Sequence, residues 1–151
     1  MSQYSRRTVV RGAAWSIPVV AVAADAPAFA ASTDAPSISG VLSFNVCKLA
    51  GAGQNCQSYR ATLTLTVQPG DPWTIDITSL KADGTDFFST VDVKQFANVT
   101  SSSNLITFTF CTSKSPSQFK LTLGYTATNQ RTLVSTANLG GSYDLTGVSN
   151  C

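Results

Sequence analysis

The chain has 151 residues, of which 43% are hydrophobic and 12% charged, and its formal net charge is +2. This length suits a single domain, and the charged fraction, about half of the usual quarter, is untypical of disordered or coiled-coil chains. The sequence contains neither histidine nor glutamate, which excludes a Ser-His-Asp triad, a Cys-His pair, a histidine zinc site and a glutamate acid or base.

The first thirty residues have the three zones of an export signal. Arg6, Arg7 and Arg11 form a basic start, and residues 12–24 are almost uncharged and rich in small and apolar residues. This stretch of about thirteen residues is shorter than the roughly 20 that a membrane-spanning helix needs. We therefore predict a cleaved signal peptide rather than the alternative, a retained membrane anchor.

The cleavage site follows from the end of this region. Ala28-Phe29-Ala30 fits the A-x-A pattern for cleavage before Ala31. The prediction is a signal peptide over residues 1–30, and a mature chain with no membrane span.

The basic start has a more specific pattern. In Ser5-Arg6-Arg7-Thr8-Val9-Val10-Arg11, paired arginines precede one free position, two apolar residues and a further base. This segment resembles the twin-arginine export motif, and residues 5–32 are similar to twin-arginine signal peptides of secreted proteins from high-GC Gram-positive bacteria, the actinobacteria. The resemblance implies that the export translocase recognises Arg6 and Arg7, and that the folded product is secreted or associated with the cell envelope.

The mature chain is electrically neutral. The signal takes with it three of the ten basic residues and one of the eight acidic residues, so seven of each remain. Binding to nucleic acid or to an anionic membrane surface needs clustered cations, whereas these seven bases are scattered singly. We expect no nucleic-acid partner.

The mature chain alternates apolar and polar residues in the way that β-strands do. The clearest strand is 60–67, with Ala61, Leu63, Leu65 and Val67 on one face. Further strands are predicted at 38–47, 73–80, 86–93, 105–112, 119–128 and 131–145. About seven strands predict an all-β, antiparallel β-sandwich of immunoglobulin-like type, with a small barrel as the alternative. Residues 31–36 are predicted as a short linker and 37–151 as the domain.

Four cysteines lie in the mature chain, Cys47, Cys56, Cys111 and Cys151, and an even number in a small exported domain predicts two disulfides. Alternation turns Cys47 and Cys111 away from their apolar neighbours, which disfavours a bridge between these two through the core. Of the three possible pairings we predict Cys47 with Cys56, across the intervening loop, and Cys111 with Cys151, which would hold the C-terminal residues.

Patterns for catalysis and metal binding are weak. Ser117-Gln118-Phe119-Lys120 matches the S-x-x-K pattern of penicillin-recognising enzymes, but an offset of three places the two side chains on opposite faces of a strand. The aspartates between residues 71 and 92 lack the order of a calcium loop. We predict no catalytic residue, no metal ligand and no cofactor.

Aromatic residues are the candidates for a binding surface. Adjacent residues of a strand face opposite ways, so one ring of Phe87-Phe88 is predicted to point outward. Together with Trp73 and Tyr59, an outward Phe88 would offer an aromatic surface to a sugar ring or a protein. The competing interpretation is that the core buries these rings.

These features predict an exported, non-enzymatic module that acts by surface contact, as an adhesion, envelope or scaffolding component with a protein or carbohydrate partner at the cell envelope. The alternative is a secreted ligand-binding protein, such as an enzyme inhibitor, a carbohydrate-binding module or a carrier for a small molecule.

Overall fold

A computed structural model describes residues 34–50 and 56–151 of the chain. The predicted export motif at Arg6 and Arg7 and the predicted cleavage site between Ala30 and Ala31 lie outside these residues. The signal peptide therefore stays a prediction.

The described residues form eight strands and two 3-10 turns, Val41–Ser43 and Phe88–Thr90. The strands are β1 (Phe44–Lys48), β2 (Gln57–Thr64), β3 (Trp73–Ala82), β4 (Thr85–Asp86), β5 (Gln95–Val99), β6 (Leu105–Thr112), β7 (Phe119–Asn129) and β8 (Ser135–Leu145). None of the helical segments in this part of the chain is long and apolar enough to cross a membrane.

The strands form two antiparallel sheets. One has the order β1-β2-β6, and the other has the order β4-β3-β7-β8, with β5 also paired to β3. In an immunoglobulin-like sandwich, one sheet contains the first, second and fifth strands and the other contains the third, sixth and seventh. The two sheets here divide the chain in a related way, because β1, β2 and β6 lie in one and β3, β7 and β8 in the other. The prediction of an antiparallel, immunoglobulin-like β-sandwich is confirmed.

Alternation along the strands builds the core between the sheets. Along β7, the residues from Phe119 to Asn129 are buried at every second position, because successive side chains of a strand point to opposite faces. In the other sheet, Phe108 and Phe110 of β6 turn inward in the same way. The ring of Tyr59 on β2 lies 5.4 Å from the ring of Phe110 and 5.4 Å from that of Phe119, so aromatic contacts join the two sheets.

The strand predicted at 86–93 is wrong, and β5 was not predicted. Asp86 accepts a hydrogen bond from the backbone N–H of Phe88 at 2.8 Å, and Asp92 accepts one from that of Val93 at 2.7 Å. Such local bonds between a side chain and the backbone compete with strand pairing. Pairing resumes only at β5, whose register with β3 is interrupted by a bulge.

All four cysteines form disulfides, but the predicted pairing is wrong. The bridges join Cys47 to Cys151 and Cys56 to Cys111. Cys47 lies opposite Arg60 in the β1–β2 register, so Cys56 is four residues away from that position, about 13 Å along a strand. A disulfide needs Cα atoms within about 7 Å, which rules out the predicted bridge across the loop.

Neighbouring strands determine the partners instead. Cys111 lies opposite Ser58 in the β2–β6 register, and its Cα atom is 5.6 Å from that of Cys56. The C-terminal residues run beside β1, where the N–H of Cys151 donates to the carbonyl of Lys48 at 2.8 Å. Both bridges lie on the outer side of the three-stranded sheet, as the alternation of Cys47 and Cys111 predicted.

Candidate functional site

The predicted aromatic surface is not formed. Tyr59 is 0% exposed and Trp73 is 2% exposed, because each occupies an inward position of its strand, on β2 and β3. Phe88 is half-buried, and the Nζ atom of Lys94 lies 5.0 Å from the centre of its ring. Phe87 and Phe88 both pack against the core, since they lie at a 3-10 turn and not on a strand.

Burial also determines the chemistry of Tyr59. Desolvation raises the pKa of its phenol, and hydrogen bonding with Thr112 and Ser115 lowers it by less. The hydroxyl donates to the carbonyl of Pro116 at 2.9 Å. Tyr59 is therefore a neutral core residue that anchors the loop between β6 and β7.

Hydroxyl groups dominate the outer side of β7 and β8. We call this surface the hydroxyl face; it consists of Thr122, Thr126, Thr128, Ser135 and Ser142. The hydroxyls of Thr122 and Ser142 hydrogen-bond across the two strands at 2.8 Å, as do those of Thr128 and Ser135 at 2.8 Å. Cross-strand hydroxyl pairs of this kind stabilise a solvated sheet face. They also present ordered donors and acceptors to a polar partner.

The outer side of the three-stranded sheet has a similar pair. The hydroxyls of Thr62 and Thr107 lie 3.1 Å apart across β2 and β6. The sequence shows the threonine rows from which both surfaces form, but the pairing of the hydroxyls depends on the strand register.

A buried polar cluster joins the turn between β7 and β8 to the loop before β3. Asp71 accepts from Nε of Arg131 at 2.8 Å and from Nδ2 of Asn129 at 3.0 Å. The side-chain oxygen of Asn129 in turn accepts from the backbone N–H groups of Arg131 and Thr132. The buried polar groups of the cluster thus find their hydrogen-bond partners within the cluster itself, as is usual for polar groups that stabilise a fold.

A second polar cluster covers the free edge of β6. The side chain of Thr90 hydrogen-bonds with both the N–H and the carbonyl of Cys111, and Asp92 accepts from the N–H of Thr109 at 2.6 Å. Burial raises the pKa of Asp92, but its hydrogen bonds, chiefly with Thr109, outweigh that effect and leave the pKa below the usual value. Covered edges prevent unwanted strand pairing.

An open cleft lies beside β1. Its volume is about 820 Å³, and its walls are Val41 and Leu42 of the first 3-10 turn, β1 and the C-terminal segment from Asp144 to Cys151, with Arg60 at one side. This volume falls within the range of about 300–1,000 Å³ that is usual for ligand sites. Among residues 34–50 and 56–151, no group of three aspartates or cysteines is placed to hold a metal ion.

Fold and surface together define the described part of the chain as a disulfide-linked β-sandwich of immunoglobulin-like type. No protein-family model matches the chain, and neither the curated proteins nor the solved structures include a match. Its function must therefore be argued from its own residues.

Proposed function

We propose that the chain is an exported, non-enzymatic β-sandwich module that acts by surface contact at the cell envelope, as an adhesion, envelope or scaffolding component. One observation carries this proposal. The sheets turn their large rings inward and present ordered hydroxyl pairs outward on the hydroxyl face. A surface of this chemistry suits a carbohydrate or a polar protein surface, because both recognise fixed donors and acceptors.

Export is supported by two independent features. The zones of residues 1–30 and the motif around Arg6 and Arg7 favour the twin-arginine route. The disulfides Cys47–Cys151 and Cys56–Cys111 are typical of proteins that reach an oxidising compartment.

Fractionation of an actinobacterial host that expresses the full chain tests export. We expect secreted or envelope-bound protein that begins at Ala31, and retention of the uncleaved chain when Arg6 and Arg7 are both changed to lysine. The matched control is Arg60→Lys, which changes an arginine of the mature chain and leaves export intact. Export of the Arg6→Lys/Arg7→Lys chain at the wild-type level would contradict the twin-arginine route.

Binding to isolated envelope polysaccharide and protein fractions tests the contact surface. The double variant Thr122→Lys/Ser142→Lys places charges on the hydroxyl face and is expected to lose binding. Its control, Thr62→Lys/Thr107→Lys, alters the corresponding pair on the opposite sheet and should retain it. Turnover of any envelope polymer that is abolished by changing a single aspartate or lysine would overturn the non-enzymatic role.

A ligand-binding protein is the second candidate function, and the cleft beside β1 favours it. Titration of isotope-labelled protein with envelope oligosaccharides distinguishes the two functions by NMR. Shifts confined to Phe44–Cys47 and residues 144–151 would favour the cleft, whereas shifts of Thr122, Thr126 and Thr128 would favour the hydroxyl face.

A further inference from the structure

The cleft beside β1 exposes the backbone of a strand edge. One edge of β1 pairs with β2. Along the other edge, only Lys48 pairs with a further segment of the described chain, through a parallel bridge to Asn150. The N–H of Lys48 donates to the carbonyl of Ser149 at 2.8 Å, and its carbonyl accepts from the N–H of Cys151 at 2.8 Å. This edge of β1 therefore already binds one extended segment of polypeptide.

Alternation along β1 places more backbone groups on the same edge. Successive residues of a strand turn their N–H and C=O groups to opposite edges: the N–H of Leu49 donates to β2 at 2.9 Å, whereas that of Lys48 points away from β2. Phe44 and Val46 have the parity of Lys48, and the N–H of Phe44 donates to the carbonyl of Val41. The N–H and C=O of Val46 and the C=O of Phe44 thus have no backbone partner within residues 34–50 and 56–151.

The C-terminal segment leaves these groups uncovered. Leu145, at the end of β8, pairs with Phe119 in the other sheet, and the N–H of Val148 donates to the carbonyl of Ser117 at 2.8 Å. The segment therefore pairs with β1 only at residues 149–151, and the cleft lies between residues 44–46 and the residues that precede this contact. A donor and two acceptors at strand spacing match the backbone of a further extended peptide.

Apolar side chains line this cleft. Phe44 and Val46 pack against the core, and Val41 and Leu42 of the preceding 3-10 turn also line the cleft, at 42% and 98% exposed. A leucine this exposed beside a cleft offers an apolar contact to a ligand. We therefore expect apolar side chains at those positions of an added strand that point toward the core.

The cationic side chain of the cleft lies on its outer side. Arg60 is opposite Cys47 in the β1–β2 register, so the two side chains share the outer face of the sheet. Arg60 is exposed and makes no ion pair with a described residue, whereas Asp144, also in the cleft lining, pairs with Lys120 at 3.9 Å. An added strand would lie two strand spacings, about 10 Å, from β2. A glutamate side chain and Arg60 together reach across this gap.

We propose that the free edge of β1 binds an extended peptide segment of a partner protein, which joins the three-stranded sheet as a fourth strand. Its backbone pairs with Val46 and with the carbonyl of Phe44, and its side chains alternate between apolar residues that face the core and acidic residues that face Arg60. The inference rests on the second candidate function, ligand binding in the cleft, and names the ligand as an acidic peptide in place of a carbohydrate.

Hydrogen exchange on the full chain tests the backbone pairing, with a five-residue peptide of alternating valine and glutamate as the probe. At saturation, the peptide should slow exchange of the Val46 amide at least about tenfold, because a hydrogen bond withdraws this N–H from solvent. The amide of Leu49, which already donates to β2, should stay unchanged. Unchanged exchange at Val46, or protection of β8 amides in its place, would overturn the inference.

N-methylation of the probe separates backbone pairing from side-chain contact. The N–H groups of its valines and of its glutamates point to opposite edges of the added strand. Methylation of one set should weaken binding at least about tenfold, and methylation of the other should leave it within about twofold. Fluorescence anisotropy of labelled peptides measures the affinities, and equal affinities of the two methylated peptides would contradict strand addition.

Exposed residues locate the peptide without disturbing the core. Arg60→Gln should weaken binding about threefold to fivefold and remove the preference over a peptide with lysine in place of glutamate, and Leu42→Ser should weaken binding of both peptides. The matched controls Lys81→Gln and Leu133→Ser, outside the cleft, should leave binding unchanged. Equal effects of Arg60→Gln and Lys81→Gln would argue against the proposed orientation and overturn the inference.

The outcomes also separate this inference from the functions on which it builds. Envelope oligosaccharides that shift Phe44–Cys47 when the peptide does not bind would overturn the inference and leave the second candidate function standing. Contact through the hydroxyl face is measured with Thr122→Lys/Ser142→Lys and does not depend on either result.

Discussion

At the scale of single residues, the most informative side chain is Asp71. The sequence shows it in the turn Pro69-Gly70-Asp71-Pro72, where local backbone hydrogen bonds would explain an aspartate. In the fold, its carboxylate is 7% exposed and bonds to Arg131 and Asn129. These partners lie some sixty residues further along the chain, and no local pattern indicates them.

Replacement of Asp71 with alanine should lower the free energy of unfolding by about 1–3 kcal/mol, because the buried Asn129 loses its acceptor. Arg131 adds little to this loss, since its side chain is 55% exposed and can bond to water instead. The matched control is Asp144→Ala. Its carboxylate is 80% exposed and lies 3.9 Å from Lys120, so we expect a change within about 0.5 kcal/mol. Urea denaturation followed by circular dichroism measures both, and similar losses in the two variants would contradict the structural role of the cluster.

Tyr125 predicts how stability depends on alkaline pH. Burial, together with a smaller effect of the neighbouring Tyr143, raises the pKa of Tyr125 from 10.0 to about 12. The unfolded chain therefore loses this proton first, and the free energy of unfolding should fall as the pH rises from 10 to 12. Below pH 10, the contribution is fully present.

Denaturation curves across this pH range provide the measurement. Tyr125→Phe cannot ionise and should flatten the decline, at the cost of the hydrogen bond to Pro36. Tyr143→Phe serves as the control and should retain most of the slope, because burial of Tyr125 is the larger cause. An unchanged slope in Tyr125→Phe would show that other groups govern alkaline unfolding.

At the scale of elements, the alternation of apolar and polar residues predicts a strand correctly only where no side chain forms a competing hydrogen bond with the local backbone. The pattern of β6 and β7 is regular, and both strands form close to their predicted bounds. Between 86 and 93, the same kind of pattern fails, because Asp86 and Asp92 bind the backbone locally. β8 passes through Gly140 and Gly141 and remains one strand with an irregular register.

Gly140 explains how β8 remains continuous. Its φ is 109°, and a Cβ atom at this position would collide with the carbonyl oxygen of Leu123 on β7. Gly84 also has a positive φ, of 80°, but its Cβ would meet no atom within 4 Å. The close approach of the backbones of β7 and β8 thus requires glycine at position 140.

Alanine substitutions at positions 84 and 140 distinguish the cost of backbone strain from the cost of a steric clash. Gly84→Ala should cost about 1 kcal/mol through its backbone conformation, and Gly140→Ala about 3 kcal/mol or more, because the Leu123 carbonyl cannot move without disturbing the sheet. Thermal or urea denaturation compares them. Equal losses would mean that β8 adjusts freely around position 140.

At the scale of the whole molecule, the disulfides join segments that are distant in sequence. Cys47 and Cys151 are 104 residues apart, and Cys56 and Cys111 are 55 apart. By loop entropy, these bridges stabilise the fold by about 5 and about 4 kcal/mol. Serine at both members of one bridge should lower the free energy of unfolding by these amounts.

Thiol counts on the oxidised, secreted protein check the pairing itself. Cys47→Ser/Cys151→Ser removes one bridge and should leave no free thiol. Cys47→Ser/Cys56→Ser disrupts both bridges and should leave two unpaired partners, Cys111 and Cys151, available to alkylation or to a new bridge. A non-reducing peptide map that joins Cys47 to Cys56 in the wild-type protein would refute the observed pairing.

The sequence alone was sufficient for the all-β sandwich and for the face on which Cys47 and Cys111 lie, because alternation along a strand is a local property of the backbone. It was insufficient for the cysteine partners and for the burial of Tyr59 and Trp73. These depend on which strands become neighbours and in which register, and long-range packing between the two sheets determines both.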